Sequence, residues 1–203
     1  METTLCLRHS LPLAAHGWFV PATPDPLAPG DASLVGAARR GDRAAFGALY
    51  RRHARLVQAV LLARVAPDGP VGIDDLVQEV FLTAMHRLHS LRDDHAFAPW
   101  LATIARRRAA DWRRRRRDTV EWEEVLEGAT PPDDDAATAR EAVAAIASLP
   151  AAYRETLMLR FVAGLTGPEI AERTGLTHGS VRVNLHRGVT LLRERLKGGG
   201  EHA

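Results

Sequence analysis

His178, Arg182, Val183, Asn184, His186 and Arg187 fall within ten residues of one another. Arg and Asn side chains at such spacing are long enough to reach base edges in the major groove of duplex DNA. Behind them Val181, Leu185, Val189, Leu192 and Leu196 recur every three or four residues, the stripe of an amphipathic helix. The six polar-face residues therefore look outward near that helix's N-terminus. A second short helix precedes it. Thr166 and Glu169 form a Thr-x-x-Glu capping box, and Pro168 lies in the first turn, where its missing N–H costs nothing. Ile170 and Ala171 face inward, Gly175 supplies a left-handed turn residue, Leu176 plugs the corner, and Thr177 caps the next helix. The plainer reading is an αα-hairpin with a solvated face. The small Ala171, the turn Gly175 and the apolar Val181 at their mutual spacing favour a helix-turn-helix that reads DNA.

A second group of residues suits a polyanion. From Trp100 to Arg117 the sequence carries Arg106, Arg107, Arg108 and then Arg113 to Arg117, with Asp111 the one acid among them. That is too many guanidinium groups for pairing along a single helix, and nucleic-acid phosphate is the simplest external partner. Phe97 and Trp100 are candidates to stack on an unpaired base, although Trp100 also fits a core position.

The elements that must position these residues are helical. The expected fold class is all-α, two small helical domains joined by an acidic flexible linker, the C-terminal one a helix-turn-helix. The spans are a tail at 1–30, a helical domain at 31–118, the linker at 119–139, the reading domain at 140–197 and a tail at 198–203. Charge follows the same division. Residues 30–118 hold 17 Arg against 10 acids, 140–197 hold 9 basic residues against 5 acids, and 119–139 hold 7 acids and no base. One expectation is that this acidic stretch folds back on the basic faces of the free chain.

In the first domain a short helix over Asp31–Arg40 ends at Gly41, and Asp42 caps the next, Arg43 to about Val65. Its stripe is Phe46, Leu49, Tyr50, His53, Leu56, Val57, Val60 and Leu61. His53 is expected to be packed and hydrogen-bonded. Pro67-Asp-Gly-Pro70 breaks the chain. A helix opening at Asp74-Asp75 buries Leu76, Val77, Val80, Phe81, Ala84, Met85 and Leu88, and leaves Asp75, Gln78, Glu79, His86 and Arg87 on a polar face. Residues 91–97 read as a polar loop. In the second domain Ala142, Val143, Ile146, Leu149, Leu157, Met158 and Phe161 supply the core.

Several classes are disfavoured. No Gly-rich phosphate loop, zinc-spaced ligand set or nucleophile–base pair occurs, so neither catalysis nor a cofactor is expected. His86 and His89 at i, i+3 lack a third ligand nearby, and no metal site is expected. Cys6 is the single cysteine, which excludes a disulfide framework and fits a reducing cytoplasm. No apolar run reaches membrane length, and the first thirty residues do not read as a signal peptide.

Four segments in order carry a resemblance: Asp42-Arg-Ala-Ala-Phe-Gly-Ala-Leu-Tyr-Arg-Arg-His, Asp74-Asp-Leu-Val-Gln-Glu-Val-Phe-Leu, Phe97-Ala-Pro-Trp-Leu-Ala-Thr-Ile-Ala-Arg and Leu149-Pro-Ala-Ala-Tyr-Arg-Glu. Over about Ala32–Leu196 the chain resembles bacterial RNA polymerase sigma factors of the small extracytoplasmic-function (ECF) type, with only region two and region four. The resemblance implies a factor that binds core polymerase, directs it to promoters and helps melt the start site. It places Asp75, Gln78 and Glu79 where the family docks on the clamp of the largest subunit, and region four against the second-largest subunit. Phe97, Trp100, Arg106, Arg107, Arg108, Arg113 and Arg114 then fall on the −10 and melting surface, and the six helix-turn-helix residues on the −35 reading helix. Arg107 stands where the family usually has Asn, and Val183 and Asn184 replace small polar and basic residues, so the promoter sequence does not carry over. An anti-sigma factor is a further partner the resemblance admits. A free-standing helix-turn-helix regulator is the competing reading, but it leaves the Asp75–Glu79 face and the Trp100 helix without a purpose.

Overall fold

In the computed structural model residues 29–65, 72–118 and 134–199 are described, and they form helices without any strand. The helices are α1 (Asp31–Arg39), α2 (Arg43–Val65), α3 (Ile73–Arg87), α4 (Phe97–Asp118), α5 (Asp134–Ala147), α6 (Ala151–Phe161), α7 (Gly167–Thr174) and α8 (His178–Gly199). Two short 3-10 turns, Leu88–Ser90 and Asp94–Ala96, occupy much of the stretch between α3 and α4. The expected N-terminal tail to residue 28, the Pro67–Pro70 break and most of the acidic linker lie outside the described residues. The exception is the linker's end, residues 134–139, which belong to α5.

Local chemistry sets the starts and stops. Gly41 takes a positive φ of 94° and lets the chain double back after α1. Asp42 then accepts from the N–H groups of Ala44 and Ala45 at 2.8 and 3.1 Å, capping α2. Asp31, in the first turn of α1, lies 2.9 Å from His53 Nε2 and 2.8 Å from Arg52 Nη1. Burial pushes the Asp31 carboxyl up, but hydrogen bonds and charge from His53 and Arg52 outweigh it and hold the pKa at about 2. His53 is buried as expected, its ring centroid 5.4 Å from that of Phe97.

Helix α2 is the axis on which α1, α3, α4, α5 and α6 all pack. Its first half buries one face. In its second half Ala59, Val60, Leu61, Leu62 and Ala63 are all buried, which one stripe cannot produce, because α5 and α6 cover the side that α3 and α4 leave open. The two helical units are therefore in contact, and their buried side chains form one continuous cluster.

Four expected core or corner residues are instead exposed: Tyr50, Met85, Leu176 and Leu196. Tyr50 and Met85 sit at the edges of their apolar stripes, where the groove between α2 and α3 opens to solvent. Leu176 lies on the outside of the α7–α8 turn, and Leu196 in the last turns of α8.

Candidate nucleic-acid interface

The reading helix is set by two short-range devices. The Glu169 carboxylate accepts from the Thr166 N–H at 2.7 Å, which orders the start of α7. Burial of Glu169 opposes ionisation, but those Thr166 hydrogen bonds, with the charges of Arg173 and Arg160, hold its carboxyl below the usual range. Gly175 turns the chain at φ 74°, and the Ser180 N–H donates to Thr177 Oγ1 at 3.1 Å to start α8. Val181 is buried, and Gly188 lies hard against α6. A β-carbon there would stand 2.9 Å from Leu157 Cδ1. That contact fixes which side of α8 faces out. His178, Arg182, Val183, His186 and Arg187 are exposed, and Asn184 is half-buried. By helical spacing His178, Arg182 and His186 form one row, and Val183 and Arg187 the next. The structure thus brings this expected group together.

The α4 group is divided. Arg107 is exposed, but Arg106 donates from Nε to Glu155 Oε1 on α6 at 2.8 Å and from Nη2 to the Arg173 carbonyl on α7 at 2.9 Å. Arg108 pairs with Glu79 on α3. Arg114 pairs with Asp111 at 2.8 Å, and the Arg116 guanidinium lies 5.1 Å from the Trp112 ring. Arg113 is half-buried. The expectation that these arginines must look outside the chain for anions holds only in part, since carboxylates on α3 and α6 reach two of them. Phe97 requires a correction. It is not a loop residue available for stacking on a base but the first residue of α4, with 0% exposure, packed between His53 and Trp100. Its spacing to Leu101 and Ile104 was the signal that placed it on the buried stripe. Trp100 is half-buried, its ring centroid 5.9 Å from that of Phe97.

The third surface is on α3. Asp75 and Gln78 are exposed and Glu79 is partly so. Next to Gln78 a hollow of about 240 Å³ opens, lined by Phe46, Tyr50, Phe81, Leu82 and Met85. The Tyr50 and Phe81 rings meet at 4.6 Å, and Leu82 and Met85 are, among the described residues, the most solvent-exposed of the large apolar side chains. Periodicity missed this patch because it credited Met85 to the core and left Leu82 unassigned. An acid-and-amide ridge beside bare apolar surface is the composition of a protein-docking site.

His86 and His89 are both exposed, and among the described residues no group of three His, Cys, Asp or Glu side chains could hold a metal ion. Among the described residues no helix is long and apolar enough to cross a membrane.

Comparison with known proteins matches residues 49–119 to sigma-70 region 2 and residues 139–192 to sigma-70 region 4. The chain is 35% identical over 163 residues to the RNA polymerase sigma factor CarQ of Myxococcus xanthus, covering 78% of this chain and 92% of that one. It is 32% identical over 160 residues to the ECF RNA polymerase sigma factor SigF of Caulobacter vibrioides, covering 77% and 88%. Among solved structures, CnrH in complex with the cytosolic domain of CnrY superposes with a TM-score of 0.60 at 26% identity, covering 83% of this chain and 97% of CnrH.

Proposed function

The chain belongs to the sigma-70 family of RNA polymerase sigma factors and is a transcription-initiation factor of the ECF type; from that premise we propose how its surfaces divide the work. Asp75, Gln78 and Glu79 dock on the clamp of the largest polymerase subunit, and the apolar hollow beside them extends the contact. Helices α5 to α8 meet the second-largest subunit and present α8 to the −35 element, where Arg182 and Arg187 contact bases and phosphates. Helix α4 holds the −10 strand, with Arg107 on phosphate and the half-buried Trp100 beside an extruded base. Extruding a base costs a few kcal/mol, which pocket and polymerase contacts together must offset. No residue need act as acid, base or nucleophile. An anti-sigma protein is a further partner in this reading, CnrH having been solved in complex with the cytosolic domain of CnrY, and the cytoplasm is where polymerase and promoter are met.

The observation that carries this division is that two exposed surfaces of unlike chemistry stand on separate helices, cationic on α8 and acid, amide and apolar on α3. Run-off transcription with purified core polymerase tests it. Promoter-specific product is expected from the wild-type chain. Reversing charge at Asp75 and Glu79 should weaken core binding by about tenfold or more while leaving α8-dependent DNA binding intact. Unchanged core affinity in that variant would refute the assignment of the α3 ridge.

A further inference from the structure

One side chain on α8 does not match its neighbours. Val183 is 45% exposed, whereas every other exposed side chain between His178 and Gly188 can donate a hydrogen bond. Packing fixes its direction. At about 100° per residue, Val183 points roughly 160° away from the buried Val181 and roughly 140° away from Gly188, which lies against α6. It therefore stands near the middle of the outward face, with Arg182 to one side and Arg187 to the other. The core takes no part in holding it there.

One turn earlier, on the same side of the helix, is Gly179. It does not take a positive φ, and a β-carbon there would meet nothing nearer than Thr177 Oγ1 at 3.9 Å. Neither the backbone nor packing within the chain calls for glycine at this point, and alanine is the better helix former. The Ser180 hydroxyl beside it is turned back on Thr177 Oγ1 at 2.9 Å. The first turn of α8 is thus bare where it faces out, and the next carries a branched apolar side chain between two guanidinium groups.

We infer that Val183 reads the C5 methyl of a thymine in the −35 element, on either strand, and that the bare turn at Gly179 lets α8 settle deep enough in the groove for that contact. This rests on the reading of α8 as the −35 helix and adds the base type that one position demands. The chemistry of the base edges selects the occupant. In the major groove the thymine methyl is the one alkyl group on display, and the other features are N–H donors and nitrogen or oxygen acceptors. A valine set against those strips water from them and returns no hydrogen bond. Set against the methyl, it removes apolar surface from water on both partners. Arg182 and Arg187, reaching past it on either side, fix the depth at which it sits.

The test uses holoenzyme assembled from core polymerase and the full chain. Duplexes randomised across the −35 region are selected for binding. Each thymine of the selected segment, on both strands, is then replaced by uracil, which removes the methyl and leaves the hydrogen-bonding groups in place. One replacement should weaken wild-type binding about threefold to fivefold, the worth of one buried methyl. Val183→Ser should bind the thymine and uracil duplexes equally, at about the wild-type affinity for the uracil duplex. Gly179→Ala should bind every selected duplex more weakly while melting at or above the wild type, which separates approach to the groove from folding. A selected segment without thymine, uracil replacements that are all silent, or a loss that persists in Val183→Ser would each overturn the methyl contact and leave the −35 reading intact. Weakened core affinity in Val183→Ser would place the valine against polymerase and overturn the contact as well. Wild-type binding by Gly179→Ala would overturn the close approach. A library from which no −35 sequence emerges would overturn the reading of α8 itself, and the contact with it.

Discussion

Replacing Gly188 with alanine isolates the contact that aims the reading helix. An added β-carbon would sit 2.9 Å from Leu157 Cδ1 and 3.2 Å from both Leu157 Cγ and Tyr153 Cβ. Carbon pairs prefer about 3.5–4.0 Å, so α8 must back away from α6 by several tenths of an ångström or Leu157 must move. Leu157 has 0% exposure and no open side to move into. Overpacking of this kind costs about 1–3 kcal/mol, while alanine regains about 1 kcal/mol of helix propensity over glycine, leaving a net loss of up to about 2 kcal/mol. Gly47 in α2 is the control. A β-carbon there meets only the far end of the Arg51 side chain at 3.5 Å, so Gly47→Ala should gain about 0.5–1 kcal/mol. For a chain of this size 1 kcal/mol moves Tm by about 2–4 °C. Thermal melts followed by circular dichroism should therefore place Gly188→Ala several degrees below the wild type and Gly47→Ala slightly above it. DNA binding through α8 should weaken in Gly188→Ala alone. A Gly188→Ala protein that melts at or above the wild type, with α8 binding unchanged, would show that the α6–α8 approach is not tight and that the orientation argument fails.

Asp31→Asn should cost about 2 kcal/mol at neutral pH, because the carboxyl titrates at about 2 in the folded chain against 3.8 ordinarily. The sign is that of a depressed acid: full stabilisation above pH 3.8, lost as pH falls towards about 2. Urea titrations of both proteins across that window should converge, and a constant gap would rule out the Asp31–His53–Arg52 ion pairs as its source. Phe97→Ala should lose about 3–5 kcal/mol of stability and Phe97→Leu much less, read by denaturant midpoints. A folded Phe97→Ala chain with normal stability would return Phe97 to the list of base-stacking candidates. Arg182→Ala and Arg187→Ala should each reduce the salt slope of DNA binding by about one if they contact phosphate, and relax selectivity at one base position by about 1–3 kcal/mol if they contact a base. Binding indifferent to both substitutions would remove α8 from the interface.

The helix-turn-helix was legible because its determinants are local. Thr166 and Glu169 are three residues apart, Gly175 and Thr177 mark the turn by residue type, and the α8 stripe shows through its period. The α2 cap at Asp42 and the buried His53 were legible for the same reason. What escaped was non-local. Glu155 reads as an ordinary helix acid until folding brings Arg64 and Arg106 to it from 91 and 49 residues away. Glu79 and Arg108 were assigned to different partners, and tertiary packing pairs them with each other. Tyr50 and Met85 show the limit of periodicity, which identifies an apolar face but not whether a neighbouring helix covers all of it. Phe97 escapes because a polar loop read over residues 91–97 takes in the residue at which α4 begins.

Arg39, the last residue of α1, reaches across to the segment that precedes α4. It donates to the carbonyls of Leu88 and Leu91 and pairs with Asp94, so a single guanidinium braces both 3-10 turns. The turn that leads into α4, the proposed −10 surface, is thus tuned from a helix that touches no nucleotide in the proposed arrangement. An Arg39→Ala protein would keep every proposed DNA-facing side chain and still lose the footing beneath them. Its defect should surface in bubble formation and in amide exchange at residues 91–96, with closed-complex affinity nearly untouched.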